Sequence, residues 1–220
     1  MMELVPQFSL LGTTAALFEA PGTGMDLHRQ QRIWSLAAEA QTWPEVQEAV
    51  PGMNNLMLAF ARPPENIETL RSKLIAAWQK AQPIRLAGRE FELPVIYGGE
   101  GGPHMNDVIA HTGLSIDDIV QLHSSPVYDV YALGSHPGYC YLGGMDDRIA
   151  TPRRQAPVLK IPGGSVSIGG FQTGVSASEG PSGWNTIGAT HMVFFDAQKS
   201  MPALLQPGDR IRFRIQKVIR

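Results

Sequence analysis

The sequence predicts two domains, an α+β sandwich followed by an all-β barrel or sandwich. Three observations lead to this prediction: a length of 220 residues, helix-period apolar patterns in the first 90 residues, and an excess of glycine and proline afterwards. Residues 134–188 contain 12 Gly and 5 Pro, interleaved with β-branched and aromatic residues. Such a pattern is typical of short strands joined by tight turns. We place the boundary between residues 92 and 93, giving domains 1–92 and 93–220.

The first domain is expected to contain two helices over one face of a sheet. Its elements are a hairpin over residues 5–11 and 15–18, a helix over 26–43, strands over 46–50 and 56–61, a helix opening at 63–64, and a strand over 85–97. Pro44 closes the first helix, and Pro51-Gly52 forms the turn between the middle strands. The order β-β-α-β-β-α-β suits a small sandwich, which we expect to be ferredoxin-like.

The second domain is expected to begin with two short helices and to continue in strands. The first helix covers residues 106–111 and ends at Gly113. The second has Ser115 as its N-cap and Asp118 at the third helical position, which is a capping-box pair. At the end of the chain, residues 210–215 alternate strictly between charged and apolar side chains, as in a strand with one buried face.

Composition excludes several classes of protein. Lys and Arg number 18 against 20 Asp and Glu, which gives a net charge of −2 and no support for a nucleic-acid binder. The 43% of apolar residues exclude a disordered polyelectrolyte. The single cysteine, Cys140, permits neither an intrachain disulfide nor a cysteine-based zinc site. Residues 1–12 lack a leader pattern and no apolar run reaches the ~20 residues of a membrane span, so we expect a cytoplasmic protein.

Several residue patterns have both a structural and a chemical interpretation. His123 ends a helix, where it could cap the dipole or act as an acid or base. Arg153 and Arg154 could bind a carboxylate or phosphate, or form a solvated basic turn. Trp184 follows a turn and could be core or binding wall. The glycines of residues 98–102 lack the lysine pattern of a P-loop, and no His or Glu pair has metal-ligand spacing.

Taken in order, longer motifs resemble one known family. The motif positions are His123-Ser124-Ser125, Gly134-x-x-Pro137-Gly138-Tyr139, Thr151-Pro152-Arg153-Arg154, Pro162-x-Gly164-Ser165-Val166, Ile168-Gly169-Gly170, Gln172-Thr173-Gly174-Val175 and Gly183-Trp184-x-x-Ile187-Gly188. Pro51-Gly52-Met53-Asn54-Asn55 also matches. Over nearly the whole chain, this pattern resembles the B subunit of bacterial 5-oxoprolinase. That family is also labelled allophanate hydrolase subunit 1, and it includes a sporulation histidine-kinase inhibitor.

The resemblance implies a fold, an activity and partners. It implies that the C-terminal barrel is cyclophilin-like and that the chain pairs directly with the C subunit, while the enzyme is completed by the A subunit. The complex would hydrolyse the small lactam 5-oxoproline to glutamate, with ATP as co-substrate and the site at the B–C interface. The spacing of His and Glu, the charge balance and the short apolar runs lead us to expect no metal site, no nucleic-acid partner and no membrane.

The resemblance also implies site residues. Those assigned to catalysis are His123, Arg153 and Gln172. Those assigned to substrate binding are Arg154, Gly164, Ser165, Gly170, Thr173 and Trp184. Cys140 stands where the family usually has proline, which argues against a catalytic thiol. The sequence departs from the usual pattern at Ser135, Tyr139, Ser176 and Ser182, where Phe, Phe, Tyr and Gly are common, so the substrate could differ.

Other functions stay open at this point. The chain could be an inhibitor that docks on a sensor histidine kinase, and a pull-down of the kinase or of the C subunit would discriminate. It could serve a urea or allophanate-type amide hydrolase or carboxyltransferase, which a neighbouring biotin carboxylase would support. Prolyl isomerisation is suggested only by barrel kinship, which is weak evidence of activity.

Overall fold

The computed structural model describes residues 5–220, whose contacts divide into two compact units that meet between Arg85 and Leu86. Residues 1–4, the beginning of the predicted first domain and of the segment searched for a leader, lie outside the described residues. The division falls before the predicted boundary at 92/93. The reason is the strand β5, Glu90–Gly98, which pairs within the second unit and not within the first.

The first unit is a two-layer sandwich of helices on an antiparallel sheet. Its strands are β1 (Gln7–Leu10), β2 (Ala15–Glu19), β3 (Val46–Pro51) and β4 (Asn55–Phe60), arranged in the order β1-β2-β4-β3. Its helices are α1 (Leu27–Ala40) and α2 (Ile67–Lys80). Asp26 caps α1 by accepting a hydrogen bond from the Arg29 amide at 2.6 Å, and Asn66 caps α2 through the Thr69 amide at 2.9 Å.

Alternation along two central strands builds the core of this unit. Ala16 lies opposite Leu58, and Phe18 lies opposite Leu56, with all four side chains buried against the helices. The expectation of a ferredoxin-like sandwich is not confirmed. The observed element order is β-β-α-β-β-α, whereas a ferredoxin-like fold has the order β-α-β-β-α-β. The strand expected to complete the sandwich, residues 85–97, is β5 of the other unit.

The second unit is a closed seven-stranded barrel with helices and a separate hairpin. The barrel strands run in the order β10-β7-β6-β13-β5-β12-β9, and β9 closes the ring by pairing with β10. Their bounds are β6 (Tyr128–Leu133), β7 (Cys140–Gly143), β9 (Ser165–Gly169), β10 (Gln172–Val175), β12 (Asn185–Ala189) and β13 (Arg210–Ile219). The strands β8 (Val158–Ile161) and β11 (Gly180–Ser182) pair only with each other. The barrel prediction is thereby confirmed, while its cyclophilin-like kinship stays a prediction.

Two helices, α3 (Met105–Thr112) and α4 (Ile116–Ser124), precede the barrel strands β6 to β13. The predicted capping box at the start of α4 is confirmed: Ser115 Oγ accepts from the Asp118 amide at 3.1 Å, and Asp118 accepts from the Ser115 amide. No helix within residues 5–220 combines the length and apolar character needed to cross a membrane.

A buried carboxylate holds the turn that leads into β13. Asp209 accepts hydrogen bonds from the Arg89 amide at 2.7 Å, the Arg89 guanidinium at 2.7 Å and the Gln206 amide at 2.9 Å. Its side chain is 4% exposed. These bonds start the parallel pairing of β13 with β5, where Arg210 lies opposite Glu90.

Replacing Asp209 with Ala is expected to lower the free energy of unfolding by roughly 1–3 kcal/mol, because two backbone amides lose their acceptor in a buried place. Urea denaturation measures this change. Glu92→Ala is the matched control, since Glu92 is 71% exposed and lies 4.0 Å from Arg214. That exposed pair should contribute less than about 0.5 kcal/mol. Equal losses in the two variants would contradict the anchoring role of Asp209.

Candidate functional site

A small cavity of about 220 Å³ lies in the second unit, among several segments that the sequence motifs span. Its wall contains residues from the loop before β7, from β7, β9, β10 and β11, and from the turns near 153 and 176. They are Ser135, His136, Tyr139, Tyr141, Arg153, Ser167, Gly174, Ser176, Pro181, Ser182, Gly183 and Trp184. The wall therefore combines three aromatic rings, an imidazole, several hydroxyls and one cation, with no carboxylate.

A larger cavity of about 510 Å³ lies in the first unit, but its chemistry is less suited to a reaction. Prolines 44, 63 and 64 form much of its wall. Its Lys73 ammonium lies 2.6 Å from the Glu45 carboxylate and 4.0 Å from the centre of the Trp43 ring. The hydrogen bond from Lys73 lowers the pKa of Glu45, so these two groups neutralise each other. We therefore take the smaller cavity as the candidate site.

Two glycines make room for the aromatic walls of the site. A Cβ atom at Gly169 would lie 2.5 Å from the Trp184 indole, and one at Gly174 would lie 2.6 Å from the Tyr139 hydroxyl oxygen. Real Cβ atoms do not approach other atoms so closely, so only glycine permits these ring positions. The glycines on β9 and β10 thus leave space for the side chains of Trp184 and Tyr139. These aromatic rings form the surface that a ligand would meet.

Arg153 lies beside Trp184 because hydrogen bonds hold the backbone on both sides of it. The Arg154 amide donates to the Gly183 carbonyl at 2.8 Å, and the Asn185 side-chain amide donates to the Pro152 carbonyl at 2.9 Å. The Arg153 guanidinium carbon then lies 5.8 Å from the centre of the Trp184 ring. Within the described part of the chain, Arg153 has no acidic partner. An exposed, unpaired guanidinium at a cavity wall is suited to bind an anion.

His136 brings a second nitrogen base to the wall. Its ring lies 5.1 Å from the Tyr139 ring, and its Nε2 atom is buried without a hydrogen-bond partner in residues 5–220. Burial lowers the pKa of His136, which keeps the imidazole neutral at pH 7. Its loop is held by a hydrogen bond from the Gly134 amide to the Tyr139 carbonyl at 3.1 Å. A neutral imidazole beside an arginine can accept a proton during a reaction.

The four departures from the family pattern, at Ser135, Tyr139, Ser176 and Ser182, all lie on this cavity wall. They come from three separate segments, namely the loop before β7, the turn after β10 and strand β11, so their convergence depends on long-range strand pairing. Burial raises the pKa of the Tyr139 phenol, which therefore stays protonated and can donate a hydrogen bond. The sequence prediction of site residues omitted these four, for which the departures were the available signal. It also omitted six further wall residues: His136, Tyr141, Ser167, Gly174, Pro181 and Gly183.

The predicted catalytic residue His123 lies in the hydrophobic core and not on the cavity wall. It is fully buried, with its ring 4.4 Å from that of Phe213. Its Nε2 lies 2.8 Å from Thr173 Oγ1, and its Nδ1 lies 2.8 Å from the Tyr97 hydroxyl. Thr173 donates its own proton to the Ser167 carbonyl at 3.1 Å. His123 Nε2–H must therefore be the donor to Thr173, and Nδ1 the acceptor from Tyr97.

The hydrogen bonds of His123 and Thr173 suit residues that hold neighbouring strands in position. Both nitrogens of the imidazole are satisfied, and burial lowers the pKa of His123 to about 3. The ring consequently stays neutral and has no free site for a substrate. A catalytic role for His123 and a substrate-binding role for Thr173 stay predictions, and the geometry favours a role in holding β9 and β10 together.

Arg154 points away from the cavity wall, unlike its neighbour. Its guanidinium pairs with Asp107 on α3, and its side chain is 28% exposed. A substrate anion would have to compete with that carboxylate. Of the two arginines predicted for the site, the structure thus brings only Arg153 to the cavity.

The remaining predicted residues lie in turns or at the beginnings of strands of the barrel. Gly164 has a φ of 83° and donates its amide to the Ser176 carbonyl at 2.7 Å. Ser165 Oγ donates to the Pro162 carbonyl at 2.8 Å. Gly170 has a φ of 64° in the turn between β9 and β10, and Gln172 begins β10. None of these four lines the cavity of about 220 Å³, so their contacts organise its strands and turns.

Cys140 is fully buried on β7, and burial raises the pKa of its thiol to about 12. A thiol with that pKa is protonated at neutral pH and is a poor nucleophile. Within residues 5–220, no group of three or more His, Cys, Asp or Glu side chains is arranged to hold a metal ion.

Similarity to known proteins extends along the chain. A family model described as "Carboxyltransferase domain, subdomain C and D" matches residues 6–205. A relative from Escherichia coli O157:H7, named as the B subunit of 5-oxoprolinase, is 43% identical over 208 residues, or 94% of this chain and 95% of the relative. One of the same name from Haemophilus influenzae is 38% identical over 192 residues, covering 87% and 90%. The chain belongs to the family of 5-oxoprolinase B subunits.

The fold of this 5-oxoprolinase family member also occurs inside a much longer enzyme. The crystal structure of the K. lactis urea amidolyase matches with a TM-score of 0.81 and 19% identity, covering 96% of this chain. This chain spans 15% of the length of that protein. At such identity the likeness shows a shared carboxyltransferase-like fold and nothing of the reaction.

The buried imidazole of His123 predicts a pH dependence of stability in this family member. The unfolded chain binds a proton below the ordinary pKa of 6.5, whereas the folded chain resists protonation down to about 3. Stability is therefore complete above pH 6.5 and falls as pH decreases toward 3. Between pH 7 and pH 5, His123 should remove about 2 kcal/mol from the free energy of unfolding.

Urea denaturation of the wild-type chain and of His123→Gln at both pH values measures this contribution. The variant is expected to be less stable at pH 7, because Gln cannot satisfy both Tyr97 and Thr173, but to lose about 2 kcal/mol less between pH 7 and pH 5. Parallel pH profiles of the two proteins would show that His123 is not held neutral in the fold.

Proposed function

We propose that this chain is the B subunit of an ATP-dependent 5-oxoprolinase and that 5-oxoproline binds in the cavity beside Arg153. Family membership supports the activity. The observation that carries the site is the unpaired Arg153 guanidinium on the wall of a small, hydroxyl-rich cavity with aromatic sides. The volume of about 220 Å³ lies below the roughly 300–1,000 Å³ of sites for drug-sized ligands, so it suits a small metabolite.

The chemistry of 5-oxoproline matches the groups on the wall. The molecule is a five-membered lactam that carries a carboxylate, so it presents an anion and a flat amide. Arg153 is proposed to bind the carboxylate through two parallel hydrogen bonds. The lactam ring would lie against Trp184, and the protonated Tyr139 hydroxyl would donate to the lactam oxygen.

The proposed reaction consumes ATP, 5-oxoproline and two water molecules, and it yields glutamate, ADP and phosphate. A lactam carbon is a poor electrophile because amide resonance feeds electron density into it. Transfer of the terminal phosphoryl group to the lactam oxygen would remove that resonance. One water then attacks the carbon, and the C–N bond breaks as the nitrogen takes up a proton. A second water displaces phosphate from the resulting acyl phosphate. We propose that neutral His136, which lines the same cavity, accepts the proton from the first water.

The nucleotide is proposed to bind outside this chain's cavity. The sequence contains no Gly-x-x-x-x-Gly-Lys-Ser/Thr pattern, and one arginine on the wall is a small charge for a triphosphate. We therefore assign ATP binding to the A or the C subunit, and the role of this chain to holding and orienting the lactam.

The interface with the C subunit is proposed to adjoin the cavity. Two large apolar side chains are exposed on segments next to its wall: Phe171, at 65%, lies between β9 and β10, and Leu159, at 84%, lies on β8, which pairs with β11. A partner that covers such residues would also exclude water from the cavity, which strengthens the electrostatic contacts inside it.

A second candidate function is carboxyl transfer to a urea-like substrate. The observation in its favour is the description of the matching family model as a carboxyltransferase domain. A flat ureide would meet the same aromatic wall. The two functions differ in the assembly they need, because carboxyl transfer requires a carboxylated carrier and lactam hydrolysis does not.

Replacing Arg153 tests the proposed site. In the complex of this chain with the A and C subunits, ADP release that depends on 5-oxoproline should fall roughly 10- to 100-fold in kcat/KM for Arg153→Ala, because a charged hydrogen-bond pair is lost. Arg153→Lys should raise KM more than it lowers kcat, since the charge stays but the planar fork is lost.

The matched control is Arg71→Lys on α2, where Arg71 is 52% exposed and, within residues 5–220, forms an ion pair with Glu68 alone. It should leave both kinetic constants unchanged. If the wild-type complex turns over 5-oxoproline and the Arg153→Ala complex has the same kcat/KM, Arg153 does not bind the substrate. A complex without 5-oxoproline-dependent turnover would overturn the proposed activity itself.

A further inference from the structure

We infer that Asn185 is a positioning residue that determines how well Arg153 binds the substrate carboxylate. The inference rests on the proposed function and concerns the same site. Asn185 does not line the cavity of about 220 Å³. It therefore acts through the backbone that carries Arg153, and not through contact with the lactam.

Main-chain hydrogen bonds hold the turn that carries Arg153 before and after that residue. Thr151 exchanges two of them with Gly170, at 2.7 and 3.2 Å. The Arg154 amide donates to the Gly183 carbonyl at 2.8 Å. Between these anchors the Arg153 side chain is exposed. A free side chain on a held backbone loses less conformational freedom when it binds a ligand.

Asn185 adds a side-chain anchor in the middle of this turn. Its side-chain nitrogen donates to the Pro152 carbonyl at 2.9 Å and to the Ile168 carbonyl on β9 at 3.3 Å. Because both partners are carbonyls, the group that faces them must be the NH2 of the amide. Asn185 is 3% exposed, so water does not readily replace either bond.

The bond to the Pro152 carbonyl acts directly on the next residue. A peptide unit is planar, so the Pro152 carbonyl oxygen lies in one rigid plane with the nitrogen and the Cα atom of Arg153. The ring of Pro152 also fixes its φ angle, which removes one of the two rotations that could move this plane. Holding the oxygen therefore fixes the point from which the Arg153 side chain extends.

Carboxylate binding by an arginine is sensitive to such a shift. Two parallel hydrogen bonds form only when the guanidinium and the carboxylate lie in one plane at the right distance. A displacement of about 1 Å at a remote residue can cost on the order of 100-fold in rate. The other side chain that holds this turn, Asp107, is 56% exposed and pairs with Arg154. An exposed ion pair contributes little, so the buried Asn185 is the stronger anchor.

A double-mutant cycle in the complex of this chain with the A and C subunits tests the inference. Asn185→Ala should raise KM for 5-oxoproline roughly tenfold and leave kcat nearly unchanged, because the carboxylate contact is misplaced. In the Arg153→Ala background, the same substitution should change kcat/KM by less than about twofold, since no guanidinium remains to be positioned. Asn185→Ser is the second variant and should show the same pattern, because its shorter side chain cannot reach both carbonyls.

Asn66→Ala is the matched control. Asn66 also uses its side chain to hold backbone, since it accepts from the Thr69 amide at 2.9 Å at the start of α2 in the first unit. Its loss should lower stability, as removal of a helix cap does, and leave KM and kcat unchanged in both backgrounds. Urea denaturation of every variant shows which of them are folded.

Each outcome supports or overturns the inference. Equal losses of kcat/KM from Asn185→Ala in the presence and absence of Arg153 would overturn it, because the residue would then act on the site as a whole. An unchanged KM in both Asn185 variants, or failure of both to fold, would also overturn it. Wild-type kinetics for Arg153→Ala would remove the proposed site and the inference with it. A wild-type complex without 5-oxoproline-dependent turnover would instead overturn the proposed activity.

Discussion

The hydrogen-bonded chain from Tyr97 through His123 and Thr173 to the Ser167 carbonyl is the interaction on which the candidate site depends. It joins β5, α4, β10 and β9 inside the core of the barrel unit. Each member uses its hydrogen-bonding groups on the next, so the network specifies one arrangement of these strands. Ser167 and Gly174, which flank Thr173 across β9 and β10, both belong to the cavity wall. His123, which does not line the cavity, thus determines where the wall lies.

The cavity itself forms because glycines leave space on the strands and aromatic rings fill part of that space. Gly169 and Gly174 occupy places where any side chain would strike Trp184 or Tyr139. The rings therefore reach inward past the strands, and they leave a space bounded by hydroxyls and one unpaired guanidinium. Arg154, one position away from Arg153, is neutralised by Asp107, which shows how a single step along the chain separates a structural arginine from one free to bind an anion.

Protonation states favour recognition over nucleophilic attack by this chain. Burial keeps His123 and His136 neutral, keeps the Tyr139 phenol protonated and raises the pKa of the Cys140 thiol to about 12. The wall therefore offers donors, a cation and one neutral base, and it offers no activated side-chain nucleophile. Such a set of groups suits a protein that binds and orients a small anion for chemistry completed with partners.

The amino-acid sequence by itself determined the family, the two-unit organisation, the capping box of α4 and the alternation of β13, because these depend on local pattern or on long motifs read in order. It also singled out Arg153 and Trp184, which lie on motif positions and line the cavity of about 220 Å³. It did not reveal that His123 is fully buried, and it placed the strand at residues 85–97 in the first domain, since neither burial nor strand pairing is a local property. Only long-range strand pairing, within the barrel and between β8 and β11, brought Ser135, Tyr139, Ser176 and Ser182 to one wall. Residues from separate segments become neighbours only when long-range strand pairing brings those segments together. Closing the loops between them costs conformational entropy.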